Sequence, residues 1–297
     1  MKKDSMKILV RQIGYGLYGI ALSIALAGCG LLERKTNENP EGYDLNNPMV
    51  IKLPIELDEI SGVAYYPPDT CVFAIVDEDG VLYKIFLNRP KQIEKWPFGN
   101  KSDYEDLVLL DSSFYVLSSK GNISAFRFLS KDTLAFQEYP LTTIGSGNEF
   151  EILYYDKTQQ KIVMICKDCD ADKKHHLSSF TFNPSSNQYD NSRFIIDVTR
   201  IAALAGEEKI KFKPSAAAIH PLTGDLYIIS SVNLLLVVAD QNGTAKKVYK
   251  LARGTFKQPE GLTFTPEGDM IISNEAADQG VANIMIFKYN QTVYKSK

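Results

Sequence analysis

The sequence predicts an all-β fold, a β-propeller of four-stranded blades. Three observations carry this. Strand-turn-strand units recur at near-constant spacing, their strands are rich in Val, Ile, Leu, Tyr and Phe, and carboxylates recur where the units begin. The first residues of five units are Glu59, Glu105, Glu151, Pro214 and Pro259, at steps of 46, 46, 63 and 45 residues. Four short strands with tight turns use up about 45 residues, the size of one blade. A β-sandwich, the competing fold, has no reason to repeat at that interval.

Each unit reads as a meander. EISGVAYYPPDTCVFAIVDEDG opens the first, EDLVLLDSSFYVLSSKGN the second and EILYYDKTQQKIVMICKDCD the third. PSAAAIHPLTGDLYIISS and PEGLTFTPEGDMIISNE open the fourth and fifth. Turn chemistry separates the first two strands at Pro67-Pro68-Asp69, Asp111-Ser112, Pro221 to Asp225 and Pro266 to Asp269. QIEKWPF, TLAFQEYPL, RFIIDV and KKVYKL supply fourth strands. The long third step holds DVTRIAALAGEEKIKFK, where Ile201, Leu204 and Ala205 suggest a short helix. The last unit lacks an outer strand, and PMVIKLPI ahead of the first can provide it, closing the ring without an open edge. The count is five blades, or six if residues 199–213 and the termini hide degenerate strands.

The first 28 residues read as a lipoprotein signal peptide. Lys2, Lys3, Lys7 and Arg11 precede an apolar run from Ile13 to Ala27, shorter than the roughly twenty residues of a bilayer span. Leu26-Ala27-Gly28-Cys29 has the form of a lipobox, with Cys29 as the lipidated residue. Several acyl chains there would anchor the protein to a membrane without a transmembrane helix. Gly30, where an aspartate would signal inner-membrane retention, points to the outer membrane, with the protein facing the periplasm or the cell surface. Residues 29–47 are polar without apolar period and read as a flexible tether, so the propeller domain is expected over 48–297.

The full chain has a formal net charge of −3. Beyond residue 28, 29 basic residues face 35 acidic ones. No basic patch interleaved with aromatics argues for nucleic acid. Cys71 falls in an apolar strand and is expected to pack as a small hydrophobe. For Cys166 and Cys169 free thiols are the first reading. A disulfide formed after export is the second. Zinc with His175 and His176 is the third, disfavoured because adjacent residues of an extended chain point opposite ways. His220 lies in a first turn, at the ring end away from the carboxylates, and reads as structural. Without G-x-S-x-G, or a histidine among the acids, a serine-histidine-aspartate hydrolase is not indicated.

In an antiparallel hairpin the start of the first strand lies beside the end of the second. One end of the ring should therefore gather Glu59, Glu105, Glu151, Ser215 and Glu260 with Asp77, Glu78, Lys167, Asn274 and Glu275. Carboxylates so placed repel, and burial raises the cost of ionising each. Water, lysine or a bound cation must compensate. An oxygen-rich, sulfur-poor set suits calcium or another hard divalent cation, with Glu59, Glu151, Glu260 and Asn274 as candidate ligands. The competing reading makes the acids structural acceptors for backbone amides of the neighbouring blade.

EISGVAYYPPDTCVFAIVDEDG, Pro97-Phe98-Gly99 followed by DYEDL, NEFEILYYD, the CKD at Cys166, KPSAAAIHPLTGDLYIISS and QPEGLTFTPEGDMIISNE resemble the SdiA-regulated, YjiK-like family, in order, from about Leu53 to Phe287. The resemblance implies a secreted or membrane-anchored propeller related to NHL, gluconolactonase and calcium-dependent phosphotriesterase propellers. It implies no particular reaction. Two units depart from the family's pattern: Ser215, and Glu105-Asp106, lack the glycine that follows the mouth in EISG and QPEG.

The functional expectation is thus a monomeric, membrane-anchored binding module for a small molecule or protein. The alternative is a metal-dependent esterase or lactonase, with Glu105, Glu275 or Asp77 as general base.

Overall fold

The structure, a computed structural model, describes residues 37–290 apart from 132, 143–146, 171, 173–174, 191–193 and 278–279. The signal peptide, Cys29 and the first part of the expected tether lie outside the described residues.

The chain enters through β1 (Met49–Lys52) and then builds four-stranded antiparallel sheets in sequence. Blade 1 is β2 (Ile60–Tyr66), β3 (Cys71–Val76), β4 (Val81–Phe86) and β5 (Ile93–Pro97). Blade 2 is β6 (Tyr104–Leu110), β7 (Ser113–Ser118), β8 (Ile123–Ser130) and β9 (Thr133–Tyr139). Blade 3 has β10 (Glu149–Asp156), β11 (Lys161–Asp168) and β12 (His176–Asn183), with β13 (Gln188–Asp190) and β14 (Ile195–Asp197) both pairing with β12. Helix α1 (Val198–Ala205) follows. Blade 4 is β15 (Ala216–Ile219), β16 (Leu226–Ser230), β17 (Leu235–Ala239) and β18 (Ala245–Lys250). Blade 5 is β19 (Pro259–Phe264), β20 (Met270–Asn274) and β21 (Asn283–Phe287), with β1 as its outer strand.

The blade count is five. The inner strands β2, β6, β10, β15 and β19 touch one another in that cyclic order, and β19 returns to β2. Each of five apolar clusters fills one gap between neighbouring blades, the one between blades 5 and 1 included. β3, buried at all six positions, shows why strict alternation is missing from the sequence: both faces of the sheet are covered. The ring closes through β1, paired antiparallel with β21 from Met49↔Ile286 to Lys52↔Asn283.

Three details depart from the sequence reading. RFIIDV does not run beside the whole of β12. β13 pairs with Thr181–Asn183 and β14 with His176–Ser178, the break being held by Ser179, whose hydroxyl accepts from the Phe194 amide at 3.0 Å. In α1, capped by Asp197 on Thr199 and Arg200, Ile201 and Ala205 pack inward while Leu204 faces solvent. The end of the expected tether is docked. Tyr43 and Leu45 fill the core between blades 4 and 5, Asn37 accepts from the Ala252 amide at 2.6 Å, and Tyr43 donates to the Gly268 carbonyl at 2.5 Å. Two apolar side chains without a period suffice because the gap is already built by the blades.

Candidate functional site

The inner strands are bulged at the acidic mouth. The ladder of β6 with β7 passes from Tyr104↔Ser118 to Asp106↔Leu117, leaving Glu105 unpaired. β10 leaves out Glu151 between Phe150↔Cys166 and Ile152↔Ile165, and β19 leaves out Glu260 between Pro259↔Asn274 and Gly261↔Ser273. In β2 the irregularity spans Ser61 and Gly62. A bulge lifts one residue from the ladder and re-aims its side chain. Here Ser61, Glu105, Glu151 and Glu260 line the mouth.

They enclose a cavity of about 210 Å³ together with Asp77, Asp103, Lys167, Gln258 and Glu275. Six carboxyl-bearing residues thus share the cavity with one lysine. Lys167 is ion-paired to Glu151, and the Gln258 amide donates to Glu275. Burial, then the charges of Glu151 and Asp103, push the Glu105 carboxyl up to about 9. Burial and Glu275 push Glu260 to about 8; burial and Asp77 push Glu275 to about 7. Asp77 rises to about 6 through burial and the adjacent Glu59. Burial also raises Glu151, against the pull of Lys167. Burial lowers the Lys167 ammonium's basicity, but Glu151, Glu105 and Glu260 outweigh it and the net shift is upward.

Of the expected site residues, Asp77, Glu105, Glu151, Lys167, Glu260 and Glu275 meet at the cavity. The others do not line it. Glu59 is exposed, and Ser61 takes the position expected for it. Glu78 lies in solvent, 4.0 Å from Lys101. Ser215 is buried, its hydroxyl donating to the Pro259 carbonyl at 2.7 Å and tying blade 4 to blade 5. Asn274 is buried and donates to Asn283 on the adjoining strand at 3.3 Å. Asp103 and Gln258, each two residues ahead of a bulged glutamate, were missed. Both are polar residues beside a mouth position, and that was their only signal.

Part of the repeat is structural, as the competing reading held. Asp106 is buried beside Glu105, and its carboxyl accepts the amides of Leu107 and, across the blade gap, Leu153, both at 2.8 Å.

The donor set at the mouth is oxygen, which fits a hard cation. Glu105, Glu151 and Glu260, which feel one another's charge, are the residues that would hold it. Among the described residues, only ligand atoms of Cys166, Cys169 and Asp172 gather three within 4.8 Å, so the mouth carboxylates would have to draw together around an ion.

Residues 49–277 match the family described as SdiA-regulated. The chain belongs to the SdiA-regulated family. Among curated proteins, none matches its sequence. In fold, this SdiA-regulated propeller is similar to regucalcin, a calcium-binding protein from Agrobacterium tumefaciens, at 11% identity over 84% of this chain and 95% of that chain, TM-score 0.51. It is similar to the glutaminyl cyclase of Myxococcus xanthus at 12% identity over 82% and 98% of the two chains, TM-score 0.52. A chain of a nidogen/laminin complex aligns at 10% identity over 81% and 84%, TM-score 0.51. Identities this low speak of the fold alone.

Three further sequence readings meet the structure of this SdiA-regulated protein. Cys166 and Cys169 are bonded as a disulfide, which corrects the preference for free thiols and removes the zinc reading, because the sulfurs ligate each other. The two cysteines lie three residues apart, Cys166 inside β11 near its end and Cys169 just beyond the strand, with their Cα atoms 5.8 Å apart. Cys71 is a buried free thiol, as expected. His220 is fully buried among Tyr43, Tyr227, Phe264 and Tyr289, and its Nδ1 accepts the amides of Leu222 and Thr223 at 3.2 Å. Burial pushes its pKa down to about 4, so it is a neutral structural histidine.

Proposed function

We propose that this chain is a membrane-anchored, extracytoplasmic binding module that takes a cation, or the cationic group of a larger ligand, in the acidic mouth of its channel. The observation that supports this most is the crowding of six carboxyl-bearing residues around about 210 Å³ with Lys167 as the one lysine. Four of those carboxyls rise to between about 6 and about 9, so near neutral pH protons do part of the work that a cation would do better. A divalent ion held by Glu105, Glu151 and Glu260 is the simplest occupant. Anchoring through Cys29 at the outer membrane belongs to the same proposal and rests on the lipobox.

The test is calorimetric titration of the purified protein with calcium and with magnesium, alongside thermal melting with and without chelator. Stoichiometric binding that is lost in Glu260→Gln and raises the melting temperature supports the reading. No heat and an unchanged melt for either ion, and for simple alkylamines, overturns it. The hydrolytic alternative depends on the same ion, and ester or lactone turnover removed by Glu260→Gln would favour it.

A further inference from the structure

A cavity of about 680 Å³ forms a groove beside the mouth, bounded by the end of β11, the start of α1 and residues 208–213. Its character is opposite to that of the mouth. Lys209, Lys211, Lys213, His175 and His176 line it, and Leu177, Val198, Ala202 and Ile210 provide apolar surface. Lys167 borders both cavities.

Two of the groove's three acids, Asp172 and Asp168, are committed within the protein, and the third, Glu208, is exposed beside Lys209. Asp172 accepts from the Ser178 amide at 2.8 Å and from its hydroxyl. Asp168 is ion-paired to Lys213, and the charges of Lys213, Lys211 and Lys167 hold its carboxyl below the usual range. Three ammonium groups therefore bear on one carboxylate. Among the described residues Lys209 and Lys211 have no ion-pair partner, which leaves them available to a ligand. The disulfide at Cys166–Cys169 fixes the wall that carries Asp168, so the arrangement is held before any ligand arrives. A concave site of this size, apolar below and convergently charged at the rim, has the make-up of a small-molecule pocket.

We propose that this groove is a second binding site, separate from the acidic mouth, for a small organic anion: a phosphate ester or carboxylate whose charged head meets Lys209, Lys211 and Lys213 and whose apolar body lies on Leu177, Val198, Ala202 and Ile210. Charge selects the head and the apolar surface selects the body, so neither inorganic phosphate nor a neutral aromatic alcohol satisfies the site alone.

The experiment titrates the protein with phenyl phosphate, inorganic phosphate and benzyl alcohol by calorimetry at low salt. Phenyl phosphate is expected to bind at least tenfold more tightly than either of the others, more weakly as salt rises. The double variant Lys209→Gln/Lys211→Gln should weaken it about tenfold at an unchanged melting temperature, while Lys91→Gln, an exposed lysine away from the groove, has no effect. Glu260→Gln should leave phenyl phosphate binding intact, so failure of the mouth and failure of the groove are read separately. The proposal is overturned if phenyl phosphate does not bind at millimolar concentration. It is equally overturned if inorganic phosphate binds as well, or if the double variant changes nothing.

Discussion

Gly62 of blade 1 faces Asp106 of blade 2 with no room for a side chain: a Cβ on the glycine would stand 2.3 Å from Oδ1 of the aspartate and 2.6 Å from the Leu107 nitrogen. Asp106 in turn reaches Leu153 of blade 3. One buried carboxyl and one missing side chain thus set the closeness of three consecutive inner strands, and with it the bore of the acidic mouth.

Gly62→Ala should therefore destabilise the fold by about 1–3 kcal/mol, the range for overpacking a tight interior. Gly254→Ala is the control, because nothing lies within 4 Å of the Cβ it would add. Urea denaturation of both variants checks this. Equal midpoints would mean that the blades can part around Gly62 without cost.

Asp106→Ala removes the acceptor from two amides, one across the blade gap, and each buried amide left unpaired costs about 1–3 kcal/mol. Asp106→Asn keeps one carbonyl oxygen and should fall between wild type and alanine. If asparagine and alanine melt alike, the carboxyl is not acting as an acceptor for the neighbouring blade.

The ring itself was legible in the sequence because turn chemistry recurs where strand propensity breaks, and PMVIKLPI was recognisable as the closing strand. The mouth was legible only in part. A bulge has no propensity signature, so aligning the units on their first carboxylate put Glu59 where the structure has Ser61. Aligning ISG on PEG by the glycine would have set Ser61 against Glu260, because Gly62 and Gly261 both meet the next inner strand. Ser215 carries the right position in the repeat but turns its hydroxyl to the blade-5 carbonyl, a choice between partners that one sequence does not display.

Lys167 is the built-in counter-charge of the mouth, paired with Glu151 and felt by Glu105 and Glu260. Lys167→Met should lower the melting temperature in chelator, because truncating one partner of a half-buried pair leaves the other uncompensated. The same variant should gain more from added calcium than wild type does, since the ion then meets no competing ammonium. Melting curves of both proteins with chelator and with calcium decide it. A smaller calcium gain in the variant would mean that Lys167 helps to hold the ligand.

Stability in chelator should fall as pH rises from about 4 to about 9. Asp77, Glu275, Glu260 and Glu105 rise to about 6, 7, 8 and 9 in the folded protein. In the unfolded chain they ionise near 4. Between those values the folded state holds more protons than the unfolded one, so the slope of unfolding free energy against pH is negative. The stabilisation from these protons is complete below about pH 4 and is lost through the folded values. A cation in the mouth replaces the protons, so calcium should flatten the profile and its binding should release protons. At pH 7 Glu260 and Glu105 are still largely protonated, and titrations in two buffers of different ionisation enthalpy should show protons leaving. At pH 9.5 little is left to release, and the buffers should agree. A release that stays constant across this range would place the ligand away from these four carboxyls.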